Sequence, residues 1–284
     1  MPIDAQKFSG GVAVITGAGA GIGMGLSKRA AALGMTVVVA DINLVNAQKV
    51  ADEIVSTGGK AEAFFVDVSK PAELDRLADH VFANHGMPRL LVNNAGIETI
   101  GNSWEIPVER WEATLNINIH GIVHGCRAFL PRMIESGKEA WIANLASMGA
   151  FGIMPQQTAY IMSKHAVQSF SECLYCELEL VKAPIHVSSI MPGMLKTSIF
   201  EASAGKGEPA AAAAHRQRMF EMMRDYGMDL DEGCKLILEQ VAADKFWVHT
   251  QPEMSLGAME GRIAFFRSKH APEINEEVRN LVEN

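Results

Sequence analysis

A tyrosine and a lysine four residues apart, Tyr160 and Lys164, are the pair in this sequence whose types and spacing best fit chemistry. The apolar residues around them repeat with helical spacing, so we expect both side chains on one face of a helix. Ser147 precedes the pair across a loop and adds a hydroxyl that could hold a substrate oxygen. A half-buried tyrosine beside a surface lysine would have the same spacing, so the rest of the chain must decide between the two interpretations.

A phenol next to an ammonium group predicts an acid–base tyrosine. A free phenol has a pKa near 10, and lowering it to about 7 requires roughly 4 kcal/mol of preferential stabilisation of the phenolate. A lysine held close by in a partly dry pocket could supply much of this stabilisation. We therefore expect Lys164 to lower the pKa of Tyr160.

A glycine-rich turn near the amino terminus predicts a site for a pyrophosphate. The β-branched run at residues 12–16 is followed by Gly17, Gly21 and Gly23 and then by a helical pattern. Strand, turn and helix present backbone N–H groups and a helix N-terminus to an anion, and glycine allows the anion to come close. The spacing differs from the commonest dinucleotide fingerprint, and a glycine turn without a ligand remains an alternative.

Asp41 follows the second predicted strand and predicts which dinucleotide binds. A carboxylate at this place can accept hydrogen bonds from both ribose hydroxyls of an adenosine, and it would repel a 2′-phosphate. No Arg or Lys follows at residues 42–44. The sequence therefore favours NAD over NADP, with a loop or helix-capping aspartate as the alternative.

Apolar strands alternate with amphipathic helices, which predicts an α/β fold: one Rossmann-type domain with a doubly wound parallel sheet flanked by helices. Ligands of such sheets bind beyond the carboxyl ends of the strands. Asp67 stands at such an end, where it could meet an adenine or cap the next helix. The predicted strands are 12–16, 36–40, 61–66, 90–92, 141–145, 185–190 and 246–250, and the main predicted helices are 24–33, 45–57, 71–85, 107–133, 160–181, 229–241 and 255–267.

Residues 198–228 change in character and predict a substrate lid. Small residues, glycines and an alanine-rich helix follow the end of a strand, which is typical of a mobile cover. The cofactor and catalytic part would then occupy residues 10–197, and a last helix, strand and tail residues 229–284. Four apolar residues near the expected site are candidates for substrate contacts: Met148, Phe151, Met154 and Met194.

The composition is that of a globular protein that acts on small molecules. The chain has 284 residues, and its net charge of −8 argues against a nucleic-acid partner and against an anionic membrane surface. No apolar run is long enough to span a bilayer, and we expect a cytoplasmic protein. Cys173 and Cys176 stand in a predicted helix, and His120 and His124 have no third ligand at suitable spacing, so no metal is predicted.

Together these motifs resemble the short-chain dehydrogenase/reductase family, in its compact single-domain branch, from about residue 10 to residue 197. The resemblance rests on Thr16 with the glycine turn, Asp67, Asn93-Asn94-Ala95-Gly96, Asn118, Ser147, Tyr160-x-x-x-Lys164, Pro192-Gly193 and Thr197, in order and at family-like spacing.

The resemblance implies roles for the catalytic residues. Tyr160 would exchange the hydroxyl proton of an alcohol, Lys164 would assist it and bind the nicotinamide ribose, and Ser147 would position the substrate oxygen. Asn118 would hold a water in a proton relay. The family also implies a homodimer or homotetramer built by the long helices around Asn118 and Tyr160. The implied cofactor contacts are Gly17, Gly21, Ile22, Gly23, Asp41, Asp67, Val68, Asn94, Ala95, Gly96, Tyr160, Lys164, Pro192, Gly193 and Thr197.

The sequence therefore predicts an NAD-dependent oxidoreductase that interconverts a secondary alcohol, bulky and apolar or aromatic, and its ketone. Two alternatives stay open: a nucleotide-binding regulator of the same fold without turnover, and an epimerase or dehydratase that uses the same tyrosine and lysine on a sugar nucleotide. Retention of the whole catalytic set disfavours the regulator. The glycine spacing and the modest length after Thr197 disfavour the sugar-nucleotide enzyme.

Overall fold

Parallel strands joined by helices form the architecture. The computed structural model describes residues 2–202, 210–274, 276, 278 and 279. The strands in these residues are β1 (Val12–Thr16), β2 (Thr36–Asp41), β3 (Lys60–Phe65), β4 (Leu90–Asn93), β5 (Ala140–Leu145), β6 (Ile185–Met191) and β7 (Trp247–His249). They form one sheet in the order β3-β2-β1-β4-β5-β6-β7, and the paired strands run parallel. Strand order reverses between β1 and β4, which is where such sheets bind ligands.

Helices cover both faces of this sheet. They are α1 (Ile3–Phe8), α2 (Gly21–Ala32), α3 (Leu44–Ser56), α4 (Pro71–Asn84), α5 (Val108–Leu115), α6 (Gly121–Ser136), α7 (Thr158–Leu180), α8 (Ile199–Ala202), α9 (Ala210–Tyr226), α10 (Leu230–Ala242) and α11 (Pro252–Ser268). Local signals begin several of them: Pro71 opens α4, and the Asp229 side chain accepts from Asp231 N at the start of α10. The doubly wound α/β prediction is confirmed.

Alternating burial along the strands creates two apolar layers. In β2, Val37 and Val39 pack into the core on one face of the sheet, whereas Val38 and Ala40 pack into the core on the other. Successive side chains of a strand point to opposite faces, so a sheet covered on both sides needs a continuous apolar run. This explains why the central strands lack an apolar–polar alternation.

The structure differs from the sequence prediction in a few elements. The helix predicted at 107–133 is observed as α5, a π-helical turn (Asn116–His120) and α6. Helix α1 was not predicted, because it is only six residues long; it is held by the buried Phe8 and by an ion pair from Arg29 to the buried Asp4. Strand β7 is shorter than predicted, and α11 begins earlier.

Buried polar side chains fix α7 against the sheet. Asn93 Nδ2 donates to Asn144 Oδ1 (2.9 Å), and Asn144 Nδ2 donates to Ser171 Oγ (3.1 Å) on α7. Three residues earlier in the helix, Gln168 Oε1 accepts from Ser189 Oγ (2.6 Å). Hydrogen bonds of buried groups are directional and costly to leave unmade, so they set the position of α7 relative to β4, β5 and β6.

The sequence predictions also concern the helices and the cysteines. Among the helices of the described residues, none combines the length and the apolar character that crossing a bilayer requires. All four cysteines are free thiols: Cys126 and Cys234 are buried, and Cys173 and Cys176 are exposed on α7.

Candidate active site

The three residues predicted to do chemistry meet at the carboxyl end of β5. Ser147 follows this strand and caps a short 3₁₀ turn (Met148–Ala150), where its Oγ accepts from Gly149 N at 3.0 Å. Tyr160 and Lys164 lie in the first two turns of α7, with Lys164 Nζ 5.3 Å from the centre of the Tyr160 ring. The prediction that the pair shares one helix face is confirmed.

The pKa of Tyr160 is raised, so the net lowering expected from the sequence is not observed, and the contribution of Lys164 remains a prediction. Burial of the phenol is the largest cause and the negative charge of Glu98 adds to it, whereas a hydrogen bond with Ser147 acts in the opposite sense. The residue is partly exposed along the site, but its phenolic end is enclosed by protein. A phenolate loses solvation in such surroundings, so in this state Tyr160 is a protonated acid.

The Lys164 ammonium forms a hydrogen bond with the protein backbone. Its Nζ donates to the carbonyl oxygen of Leu145 (2.7 Å), the last residue of β5. Burial lowers the pKa of Lys164 to about 8, and the carboxyl of Glu98 acts against this shift. An ammonium group with this pKa is still mostly charged at neutral pH, so it can favour an anion nearby.

Asn118 is fully buried in the π-helical turn and holds the loop that follows β4. Its Nδ2 donates to Ile97 O (2.9 Å) and Ser163 Oγ (3.0 Å), and its Oδ1 accepts from Ile97 N (2.8 Å). Both hydrogens of the amide are thus committed to protein partners, and the proton relay remains a prediction. π-Helical turns are frequent at functional sites, and this one brings Asn118 next to Gly96, where a Cβ would lie 3.4 Å from Asn118 Oδ1.

The glycine turn between β1 and α2 forms a cradle closed to side chains. Gly17 has φ +63°, and a Cβ there would lie 2.7 Å from Ala95 Cα; a Cβ at Gly23 would lie 2.3 Å from Gly17 O. Asn94 ties the turn to β4 because its Nδ2 donates to Thr16 O (2.8 Å) and Gly17 O (3.0 Å). The first turn of α2 carries no acidic side chain, so its N–H groups can receive an anion.

Asp41 lies beside this turn. One carboxylate oxygen accepts from Gly19 N (2.8 Å) and the other from Asn43 N (2.7 Å). Both bonds leave lone pairs for further donors, since an ionised carboxylate has about four acceptor positions. The carboxylate is therefore anchored at the edge of the cradle, and its contact with an adenosine ribose remains a prediction.

The other predicted adenine contacts lie at the end of β3. Asp67 does not cap α4: its Oδ1 accepts from Ser69 N (3.0 Å) and Ser69 Oγ (2.6 Å) in a turn before the helix. Val68 is buried against α6, where a Cβ on Gly121 would come within 2.8 Å of its side chain. These contacts leave the adenine assignment open.

The predicted nicotinamide contacts gather near the amino terminus of α2. A Cβ on Gly21 would lie 3.6 Å from Thr197 Cβ, and Gly193 N donates to Thr250 Oγ1 (3.0 Å). Pro192 O accepts from Met148 N (3.3 Å), which links the end of β6 to the turn after Ser147. The remaining predicted contacts also lie at this edge: Ile22 packs on the core, Ala95 N donates to Thr16 Oγ1, and Gly96 lies beside Lys164.

The four candidate substrate residues lie in the segments that follow β5 and β6. Met148 N and Met194 O join the loops beside the site, and Met154 lies in the following loop. The ring of Phe151 is 5.8 Å from that of Trp247 and lines a separate cleft of about 240 Å³ between residues 151–155 and α11. Their contact with a substrate remains a prediction.

Helices α8 and α9 occupy the place predicted for the lid. Residues from both pack together over the loop after β4, and residues 203–209 of the predicted lid lie outside the described residues. Thr197 Oγ1 lies 3.6 Å from Met223 Sδ, which brings α9 next to the predicted nicotinamide contact. Mobility remains a prediction. The lid cluster consists of Ile100, Phe200, Ala212 and Met223, with Ile199, Met219 and Phe220 around them.

Sequence reasoning missed two groups of ionisable residues. Glu98 is 2% exposed and interacts electrostatically with Tyr160 and Lys164; its only sequence signal is a charged residue two positions after the strand-end motif that finishes at Gly96. Farther from the site, Glu62 Oε1 lies 2.6 Å from His80 Nε2 and 2.8 Å from His85 Nε2. Glu62, His80 and His85 could together hold a metal ion. The sequence gives no short ligand motif for them, because Glu62 lies in β3 and is 18 residues before His80.

Comparison with known proteins identifies the family. The sequence profile of the short chain dehydrogenases matches residues 11–206. This region contains the glycine turn, the predicted catalytic trio of Ser147, Tyr160 and Lys164, and the end of β6. The chain therefore belongs to the short-chain dehydrogenase family, whose members are oxidoreductases.

Individual relatives are similar at modest identity. The probable oxidoreductase EphD of Mycobacterium tuberculosis is 36% identical over 185 residues, which cover 65% of this chain and only 31% of that protein. A cyclohexanol dehydrogenase of an Acinetobacter species is 33% identical over 198 residues, covering 69% of this chain and 78% of that enzyme. A Burkholderia phymatum short-chain dehydrogenase/reductase, solved in complex with NAD, superposes with a TM-score of 0.88 at 29% identity, covering 95% and 99% of the chains.

Proposed function

We propose that the protein is an NAD-dependent dehydrogenase that interconverts a secondary alcohol, bulky and apolar or aromatic, and its ketone by hydride transfer. The observation that carries the proposal is the grouping of Ser147, Tyr160 and Lys164 at the sheet edge that also holds the glycine cradle. Membership of the family supports the reaction class, and the cyclohexanol dehydrogenase and the NAD complex among the relatives support the alcohol and the cofactor.

The glycine turn suits a dinucleotide because its backbone can pack closely. A side chain at Gly17 or Gly23 would collide with protein atoms at 2.7 Å or less, so glycine lets the turn lie tightly against Ala95 and Asn94, next to the N-terminus of α2. The turn and the N-terminus of α2 would hold the pyrophosphate, Asp41 the adenosine ribose and Lys164 the nicotinamide ribose. When bound, NAD supplies the ring carbon that accepts a hydride.

The chain's own residues would handle the proton. Ser147 Oγ holds the carbinol oxygen, and the Tyr160 oxygen takes its proton during oxidation and returns it during reduction. The raised pKa of Tyr160 favours the protonated form, which is the form that reduces a ketone. Oxidation needs the phenolate, which the hydrogen bond from Ser147 stabilises. The ammonium of Lys164, 5.3 Å from the ring centre, would act in the same sense.

The choice of NAD rests on Asp41. Its carboxylate stands within hydrogen-bonding distance of Gly19 N, at the side of the cradle, with no basic residue at 42–44. A 2′-phosphate would meet a negative charge there and find no cation, so NADP should bind less well than NAD.

We also propose that the protein is a homodimer or homotetramer. The family resemblance motivates the proposal, and α7 supports it because the helix exposes Met162 and Tyr175, each by more than two fifths of its surface. Light scattering coupled to size exclusion should give the mass of two or four chains. A monomer at micromolar concentration would contradict it.

The test of the proposed activity is spectrophotometric. Purified protein is mixed with NAD, and separately with NADP, and a panel of secondary alcohols from small aliphatic to aryl and steroidal members. We expect nicotinamide reduction with NAD on bulky members. Binding of NAD without turnover across the panel would favour a regulator, and redox-neutral conversion of a sugar nucleotide would favour an epimerase.

A further inference from the structure

Glu98 is a buried carboxyl that the proposed mechanism does not use. It lies in the loop after β4, two residues beyond Gly96, and is 2% exposed. Its loop lies beside the catalytic lysine, because a Cβ on Gly96 would be 3.7 Å from Lys164 Nζ. The charge of Glu98 opposes ionisation of the Tyr160 phenol and favours the Lys164 ammonium. Among the described residues it is the charged group outside the catalytic trio that acts on both members of the pair.

The backbone around Glu98 is held from two sides. Asn118 binds both the N–H and the carbonyl of Ile97, directly before Glu98. Arg110 donates to the carbonyl oxygen of Glu98 (3.3 Å), and the next residue, Thr99, forms a hydroxyl–hydroxyl hydrogen bond of 2.7 Å with Thr114. A loop held in this way presents its side chain in a defined position, as a binding group requires.

The carboxyl itself has few partners. Thr99 N donates to its Oε1 (3.1 Å), and the described residues provide no other hydrogen bond to either oxygen. Burial raises the pKa of Glu98 well above its usual range, while Lys164 acts in the opposite sense. The second oxygen therefore has acceptor positions left for a hydrogen bond with a ligand.

The loop that carries Glu98 connects the surroundings of Lys164 to the lid cluster. Gly96, two residues before Glu98, lies beside Lys164. Ile100, two residues after Glu98, belongs to the lid cluster and packs with Phe200, Ala212 and Met223. A polar group on this loop would be suited to meet a part of the substrate close to the reacting carbon.

We propose that Glu98 binds a second oxygen of the substrate, so that the preferred substrate is a secondary alcohol with a hydroxyl on the neighbouring carbon. The inference rests on the proposed function, because Ser147 and Tyr160 already take the carbinol oxygen. A hydroxyl both donates and accepts, so it suits the carboxyl in either protonation state. A cationic group is disfavoured, since the Lys164 ammonium shares the site.

The inference is tested with matched pairs of alcohols. The pairs are cyclohexanol with trans-cyclohexane-1,2-diol, and 1-phenylethanol with 1-phenylethane-1,2-diol; the readout is the ratio of kcat/KM for the diol to that for the mono-alcohol. One hydrogen bond to a neutral partner corresponds to about tenfold, so the unmodified enzyme should prefer each diol by about that factor.

Substitutions then ask whether Glu98 causes the preference. Glu98→Met keeps the length of the side chain but not its polarity, and the ratio should fall to near one. Glu98→Gln still donates and accepts and should keep most of the preference. Glu105→Gln is the matched control, because it removes an exposed carboxylate from the same segment and should leave the ratio unchanged.

Each outcome decides a different question. A ratio near one in the unmodified enzyme, or a preference that survives Glu98→Met, overturns the role of Glu98 while alcohol turnover upholds the proposed function. A thermal unfolding scan shows whether Glu98→Met is folded, and the ratio in the unmodified enzyme needs no variant. If no alcohol of either pair is oxidised although NAD binds, the proposed function fails and this inference with it.

Discussion

The two sides of the site are built differently. The proposed cofactor side comprises residues 16–23, Asp41 and residues 94–96, where backbone groups and short side chains meet in hydrogen bonds of 2.8 to 3.2 Å. The proposed substrate side comprises residues 97–101 with α8 and α9, where the lid cluster consists of apolar side chains in contact. Hydrogen bonds hold the proposed cofactor side together, and its turn has room only for glycine. Apolar packing holds the proposed substrate side together.

This difference teaches which changes each side should tolerate. A Cβ in the glycine turn meets backbone atoms that cannot move without breaking β1 or α2, whereas apolar residues of similar volume can replace each other at modest cost. We expect changes on the cofactor side to abolish binding of the dinucleotide. Changes on the substrate side should alter which alcohol is accepted.

The largest effect is expected between the two sides, at Tyr160. Tyr160→Phe removes the proton carrier, and kcat for any accepted alcohol should fall by about 10²–10⁴-fold while NAD affinity stays unchanged. Steady-state kinetics and cofactor titration measure the two effects. Tyr175→Phe on the same helix is the control, because this tyrosine is 44% exposed. Full activity of Tyr160→Phe would disprove the acid–base assignment.

The next largest effect tests the glycine cradle. Gly23→Ala places a methyl group 2.3 Å from Gly17 O and 2.5 Å from Asn94 Nδ2, so the turn must shift. Misplacement of this size should lower kcat/KM for NAD by about 10²-fold, and the strain should reduce the free energy of unfolding by about 1–3 kcal/mol.

The control for this change is another helical glycine. A Cβ at Gly261 in α11 meets no atom within 4 Å, so Gly261→Ala should retain NAD kinetics and not destabilise the fold. Fluorescence titration with NAD and urea unfolding separate the two quantities. Equal behaviour of the two variants would mean that the cradle is not restricted to glycine.

Cofactor choice should respond to Asp41. Asp41→Asn removes a charged acceptor, and kcat/KM for NAD should fall by about tenfold or more. Adding Ile42→Arg, at a residue that is 61% exposed, should raise the NADP to NAD ratio further because a cation then faces the 2′-phosphate. Asp52→Asn on α3 is the charge-matched control. If the NADP to NAD ratio of kcat/KM does not change in these variants, Asp41 only stabilises the glycine turn and does not select the cofactor.

The substrate side should respond more gently. Met219→Ala removes an apolar contact of the lid cluster, and KM for a bulky alcohol should rise by about threefold to tenfold with NAD affinity unchanged. Glu221→Gln, exposed on the same helix, should change neither quantity. A loss of NAD affinity in Met219→Ala would show that the two sides are not independent.

The smallest effect lies outside both sides, at Glu62. Burial opposes its charge, but hydrogen bonds from His85 and His80 outweigh it and hold the pKa of this carboxyl below its usual value. A lowered pKa stabilises the fold above the pKa of the unfolded chain, and this contribution is lost as the pH falls through the acid range.

The measurement compares unfolding of the unmodified protein and Glu62→Gln at pH 7 and pH 4. The difference between the proteins should be below about 1 kcal/mol at pH 7, since the cluster is partly exposed, and should shrink at pH 4. Activity at pH 7 should be equal in both proteins. A difference that grows on acidification would reverse the assigned sign.

Much of the site could be predicted because its signals are local. The β-branched run before Gly17, the four-residue spacing of Tyr160 and Lys164, and the strand ends at Asp41 and Ser147 each occupy a few neighbouring residues. A parallel sheet then brings strand ends to one edge whatever the details of packing. Helix α1 escaped prediction because its reason to form is Phe8 and Asp4 meeting distant residues, not its own six-residue pattern.

The sequence by itself determined the doubly wound sheet, the glycine cradle and the meeting of Ser147, Tyr160 and Lys164, because periodicity and strand ends are properties of the chain. Only the tertiary structure decided the direction of the Tyr160 pKa, the placing of Glu98 beside it and the Glu62 contacts with two histidines. Burial and electrostatic neighbours depend on distances through space, and residues far apart in the chain set those distances.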